Sequence, residues 1–269
     1  MKEVIKHFSE PVSKVADNLT NPVSKTIGKT LADAWDLALG SHLTLARNKQ
    51  DYRQEKKYED YKAEIDSKVA NIPHENLMEG PLHIIGPAIE ASRFYIEAEE
   101  LRKMFINLIV SSMDSTTISE VHPSYTEIIK QLSPLDAKNL ELFKEVGNPL
   151  PTCEYTFNQG DSNNFKVLKT NVFISNKDVL NIELQSNSIT NLIRLGLLES
   201  PGDIFITDSD FYNGFDETDL YLNQKKSIED GISKGELDKG SRIEIEKRLV
   251  RLTTLGESFI RVVFSMKNN

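Results

Sequence analysis

A chain of 269 residues with 39% hydrophobic and 27% charged side chains has the make-up of a foldable soluble protein of one large or two ordinary domains. Its 32 basic and 41 acidic residues leave a formal charge of −9, and residues 151–240 alone hold 15 acids against 8 bases. So acidic a middle argues against phosphate-backbone binding by the surface at large, and one cysteine, Cys153, excludes both an internal disulfide and a cysteine zinc site.

The opening stretch MKEVIKHFSEPVSKVADN lacks the apolar core of a signal peptide. No apolar run reaches the roughly 18 residues of a spanning helix. A cytoplasmic location is therefore the expectation. From Pro22, the residues Val23, Ile27, Leu31, Trp35 and Leu39 recur every fourth position and form one apolar stripe on a helix. Such a stripe is either core or the face that docks a protein partner or a second copy. Charge over 1–72, at 12 basic and 11 acidic residues, is close to balanced, which disfavours peripheral membrane contact. A charged helix continues over 42–72 with Tyr52, Tyr58, Tyr61, Ile65 and Val69 as its seam, and Pro73 ends it.

Residues 81–95 read as an apolar helix started or kinked by Pro87. The stretch 97–114 reads as a central, buried helix carrying Leu101, Met104, Phe105, Leu108 and Ile109. A short helix follows over 122–132. Ser133-Pro134-Leu135-Asp136 has the pattern of a capping box for a helix that stops at Gly147, and Asn148-Pro149-Leu150-Pro151 breaks the chain.

Beyond the break the pattern turns to strands at 153–158, 165–174 and 243–252, with a further strand expected at 203–207. Between them NLIRLGLLE (191–199) predicts a helix at 189–195, capped by Ser188 and closed by Gly196. The acidic stretch 208–240 is long for a loop and is expected to be helical around 217–232 or mobile. The fold class expected is mostly α (α+β). An N-terminal helical bundle over 1–147 precedes a winged-helix-like α/β module over 148–269 with an acidic insertion at 208–240.

A winged helix raises the question of DNA. Base reading needs basic or amide groups on the outer helix face, and only Asn191 and Arg194 are offered there. Arg248 and Arg251, with Lys247, would have to gather on the same side. The wing is acidic through Asp203, Asp208, Asp210, Asp216, Glu217 and Asp219. A packing or self-association module is the favoured reading, and nucleic-acid binding the alternative.

Other chemistry is thinly signalled. His74, Glu79 and His83 are near in sequence, but Gly80 and Pro81 prevent their alignment on a helix as metal ligands. His122 precedes Pro123 and reads as a helix entry, Cys153 has no local nucleophile signature, and Gly28-Lys29-Thr30 lacks the glycine-rich loop of a nucleotide site. No catalytic residue, metal or cofactor is assigned.

The run IPHENLMEGPLHIIGPAIEASRFYIEAEELRKMFINLIVSSMD (72–114) and the run VHPSYTEIIKQLSPLDAKNL (121–140) resemble the abortive infection alpha (Abi-alpha) family, a domain of unknown function. The family features are Pro-Leu-x-Ile-x-Gly-Pro-Ala at 81–88, Leu-Arg-x-Met-Phe at 101–105, Ser-Met-Asp at 112–114, His-Pro-Ser-Tyr at 122–125 and Lys-Gln-Leu-Ser-Pro-x-Asp-Ala at 130–137. Tyr125 stands where the family usually has phenylalanine. RLTTLGESF (251–259) matches its C-terminal part. The resemblance implies a bacterial phage-defence role by interaction, and it supplies no catalytic residues. The remaining alternative is an effector enzyme whose site assembles from distant residues.

Overall fold

The computed structural model describes residues 52–160, 165–202 and 204–264, with Asp33 and Trp35, and only the backbone for 52–55. Among these, residues up to Pro134 together with those from Ser258 form one compact unit, and Leu135–Glu257 form a second. The fold is α+β, with helices and a four-stranded antiparallel sheet.

The first unit begins with α1 (Tyr52–Ala70). Tyr61, Ile65 and Val69 of its seam are buried, as expected from their spacing. Trp35 is also buried and meets the Tyr61 ring edge-on at 5.7 Å. Val23, Ile27, Leu31 and Leu39 lie outside the described residues.

α2 (Leu82–Ser92) starts directly after Pro81 and carries Pro87 inside it. Pro87 has no N–H to donate, so one rung of the helix ladder is missing. Ile84, Ile85, Ala88 and Ile89 bury the helix regardless. α3 (Glu99–Ser111) opens with Glu99 and Glu100, which suit the positive end of its dipole, and it buries Leu101 and the whole run from Met104 to Ile109. A helix buried around so much of its circumference is the centre of its unit, as its apolar content led us to expect. α4 (Tyr125–Lys130) follows a short turn.

The second unit starts with α5 (Pro134–Glu145), which begins at the proline of the capping-box sequence. β1 (Leu150–Asn158) pairs with β2 (Phe165–Val172) as a hairpin, and along its other edge with β4 (Arg242–Leu252), from Leu150 opposite Val250 to Asn158 opposite Arg242. β3 (Leu198–Glu199) adds to the far side of β4, giving the order β2-β1-β4-β3.

α6 (Ile182–Arg194) is longer than its sequence suggested. The cap is not Ser188 but Asn181, whose side chain accepts from the Leu184 N–H. Ser188 is instead buried in mid-helix. Gly196 takes φ +74° after the helix, the left-handed C-terminal stop expected of it.

The strand expected at 203–207 is absent from the described part of that stretch, 204–207. There the Ile206 N–H is taken by the Tyr212 hydroxyl at 2.9 Å, and two short 3-10 turns follow at Ser209–Tyr212 and Phe215–Glu217. A backbone donor held by a side chain is unavailable to a ladder. The acidic stretch then forms α7 (Asp219–Ser233), capped by Thr218. Its anchors are Tyr212, Phe215 and Ile228, packed with Cys153 and Tyr155 of β1.

α8 (Thr254–Val263) closes the described chain. In its first turn, Thr253 Oγ1 accepts from the Gly256 N–H and donates to the Gly196 carbonyl at 2.6 Å. The later part belongs to the first unit, where Phe259 meets Tyr125 edge-on at 5.0 Å and Asn107 Nδ2 donates to the Val263 carbonyl at 2.7 Å.

Candidate nucleic-acid and partner surfaces

The side chains singled out for nucleic acid can be followed one by one. Asn191 and Arg194 sit in the last two turns of α6. Asn191 Nδ2 donates to the buried Asp136 carboxylate at 3.0 Å, while its Oδ1 accepts two hydrogen bonds from Arg194, at 3.0 and 2.7 Å. An amide used at both ends has little left for a base edge. Arg248 on β4 lies between Glu246 at 2.7 Å and Glu154 at 3.5 Å, its side chain only 20% exposed. Arg251 is paired with Glu199 across the β3–β4 ladder at 2.6 Å. Lys247 reaches Ser209 Oγ and lies 5.0 Å from the Tyr212 ring centre. Each cation is matched by an acid, an amide oxygen, a hydroxyl or a ring of its own unit, so phosphate binding would have to displace partners already in place.

Behind this surface lies a polar layer that sequence reading missed. Asn139 of α5 donates to Ser188 Oγ at 3.0 Å and accepts from Asn176 Nδ2 at 2.7 Å. Gln185 donates to the carbonyls of Asn176 and Val179. All four side chains are buried. Buried amides need partners, and here they tie α5, α6 and the connection before α6 into one register. For Asn139, Gln185 and Ser188 the only sequence signal was polarity at positions where the helical period demanded apolar residues.

Two cavities stand out among the described residues. In the second unit, a cleft of about 690 Å³ lies where β4 turns into α8, with Asn148, Glu199, Arg251, Thr253, Thr254 and Glu257 on its wall. Its two carboxylates outnumber its one guanidinium, which is already paired. In the first unit, a cleft of about 550 Å³ is bordered by Asp60, Glu64, Glu97 and Glu99 with Lys57 and Arg102. Lys57 pairs with Glu97, and Arg102 lies 3.9 Å from Glu64.

The candidate catalytic groups are dispersed. His122 Nδ1 lies 2.7 Å from Ser124 Oγ at the entry to α4, the helix-entry role its sequence position implies. Among the described residues no three of His, Cys, Asp and Glu converge as metal ligands, His74, Glu79 and His83 included. Cys153 is fully buried on β1, and burial raises its thiol pKa; a thiol that resists ionisation is a poor nucleophile.

That burial has a measurable consequence. The hydroxyl of Tyr155 is likewise pushed up by desolvation, and so is that of Tyr61 in the first unit. A raised native pKa favours the protonated form in the folded state, so its stabilising effect is complete below the unfolded value. It is lost as pH rises from about 8.5 for cysteine and about 10 for tyrosine. Urea midpoints are therefore expected to fall steadily between about pH 9 and pH 11. Iodoacetamide at about pH 8 should alkylate Cys153 only after unfolding. A flat midpoint, or rapid native alkylation, would contradict this account.

The family model described as "Abortive infection alpha" matches residues 53–263. The chain belongs to the abortive infection alpha family. The matched span takes in both compact units, so the RLTTLGESF stretch and the buried amide layer are parts of an abortive infection alpha domain. No curated protein matches the chain. One solved structure, an uncharacterized protein from the hydrocarbon-degrading marine bacterium Alcanivorax borkumensis SK2, is similar at 14% identity and a TM-score of 0.32, over 53% of this chain and 96% of that one. No helix among the described residues is long and apolar enough to cross a membrane.

Proposed function

We propose that this member of the abortive infection alpha family acts in phage defence by binding protein, its own kind or another, and without an active site of its own. Membership of the family across 53–263 is the observation that carries the reading. The local chemistry supports it: Arg194, Arg248 and Arg251 are engaged by neighbours, and the single thiol is buried and hard to ionise. The site of action in this reading is the cytoplasm. The functional modules are a helical bundle to residue 147 and a winged-helix-like module from 148, with the stripe positions Val23, Ile27, Leu31 and Leu39 as one candidate docking face, Trp35 being packed on Tyr61 within the chain. Expression in a susceptible bacterial host tests the proposal. A fall in plating efficiency for at least one phage of a broad panel is expected, and unchanged plating across the panel would overturn it.

A second reading, duplex-DNA binding, has one observation in its favour. The strand order β1-β4-β3, with α6 just before β3, is that of a winged helix, although one helix stands where a helix-turn-helix has two. If DNA is bound, double substitution of Arg248 and Arg251 by alanine should weaken binding and flatten its salt dependence. Absence of any shift with duplex at low salt would end that reading.

A further inference from the structure

We propose that the outer edge of β2 is a docking site for an extended, acidic stretch of a partner protein, which adds to the sheet as a further strand. The inference rests on the interaction reading above and gives it a place and a chemistry.

β2 runs from Phe165 to Val172 and, among the described residues, pairs with β1 alone. Among the described residues, no backbone or side-chain group bonds to the outward N–H and C=O groups of this strand. An unpaired edge invites strand addition, and proteins that do not use one cover it, shorten it or line it with charge. β2 has eight residues, and two of its exposed side chains are large and apolar: Phe165 is 65% exposed and Val167 42%. Its pairing with β1 is regular from Phe165 to Val167, ahead of the bulges near Tyr155. The regular, exposed part is thus the part carrying the apolar side chains.

Charge selects the occupant. In a protein of net charge −9, β2 holds two lysines and no acid. Lys169 pairs with Glu183 of α6, while Lys166 is exposed and has no ion-pair partner among the described residues. A second copy pairing edge to edge would bring lysines from both chains onto one seam without adding a carboxylate, and like charges across a ladder are unfavourable. A strand alternating acidic and apolar residues sets a carboxylate against Lys166 and an apolar side chain against Phe165 and Val167. Backbone pairing would supply affinity and the side chains selectivity, as in other strand-addition complexes.

The test uses the full chain and three short synthetic peptides: alternating glutamate and valine, alternating lysine and valine, and the glutamate–valine peptide N-methylated at every second residue. The glutamate–valine peptide is expected to bind and to slow amide exchange within 165–169. The lysine–valine and N-methylated peptides should bind at least about tenfold more weakly, since one lacks the charge match and the other the backbone donors. Lys166→Glu, an exposed change, should weaken the glutamate–valine peptide to a similar extent. Equal binding of the N-methylated peptide, protection mapping elsewhere, or no binding of the glutamate–valine peptide would overturn the edge proposal. Phage plating separates the two proposals. If the native chain protects while Lys166→Glu protects equally, the edge proposal fails and the defence reading stands. If the native chain gives no protection, the defence reading fails, and peptide binding alone decides the fate of the edge.

Discussion

Replacing Gly256 by alanine is expected to destabilise the second unit by about 3 kcal/mol or more, at the upper end of what overpacking costs. A Cβ at this position would stand 2.0 Å from the Leu197 carbonyl oxygen and 3.0 Å from its carbon. Both are backbone atoms, so no side-chain rotation relieves the clash. The Leu197 carbonyl is already committed, accepting from the Thr253 N–H at 3.0 Å, while Thr253 Oγ1 donates to Gly196. Moving α8 away would break both bonds. Urea denaturation of Gly256→Ala followed by tryptophan-independent circular dichroism should show an earlier transition. As a control, Gly235→Ala, a left-handed glycine with nothing within 4 Å of its Cβ position, should cost only about 1 kcal/mol of backbone strain. Equal effects at the two sites would refute close approach as the reason for Gly256.

Phe215→Ala is expected to cost about 3–5 kcal/mol, the range for emptying a buried aromatic site. Phe215 is fully buried within the acidic stretch, and its carbonyl accepts from the Tyr155 hydroxyl at 2.5 Å. Residues 208–240 are therefore part of the second unit's core and not a loose appendage. Limited proteolysis makes the point separately. In the native protein the stretch should resist cleavage, and Phe215→Ala should expose it at urea concentrations that leave the native chain intact. Cleavage of the native chain there without denaturant would show that the packing contributes little.

Much of the architecture could be read from the residues because it rests on local physics. The seam of α1, the buried length of α3, the proline that opens α5 and the glycine that closes α6 all follow from period and backbone preference. The family resemblance in 72–140 proved sound for the same span. The errors came where a non-local partner decided the matter. Ser188 has the side chain of a cap, but Asn139 recruits it from another helix. Residues 203–207 have the apolar run of a strand, yet the Tyr212 hydroxyl takes the Ile206 donor. Asn191 and Arg194 were recognisable as surface polars, whereas Asp136, 55 positions away in the chain, determines what Asn191 can do. The open edge of β2 left no mark in the sequence at all, since being unpaired is a property of the sheet order and not of the strand.

The membership of α8 in two units has a consequence for how the protein is made. Residues Leu135–Glu257 form one uninterrupted segment, whereas the preceding unit needs Phe259 against Tyr125 and the Val263 carbonyl on Asn107. On the ribosome the later-encoded unit is thus the first to have all its parts. The earlier one must wait, its α3 core lacking those contacts, until nearly the last described residue has left the exit tunnel. A nascent chain that had emerged from the tunnel only as far as about residue 257 would carry the later-encoded unit complete and the earlier one unfinished, and a chaperone would find its binding site in the half that was synthesised first.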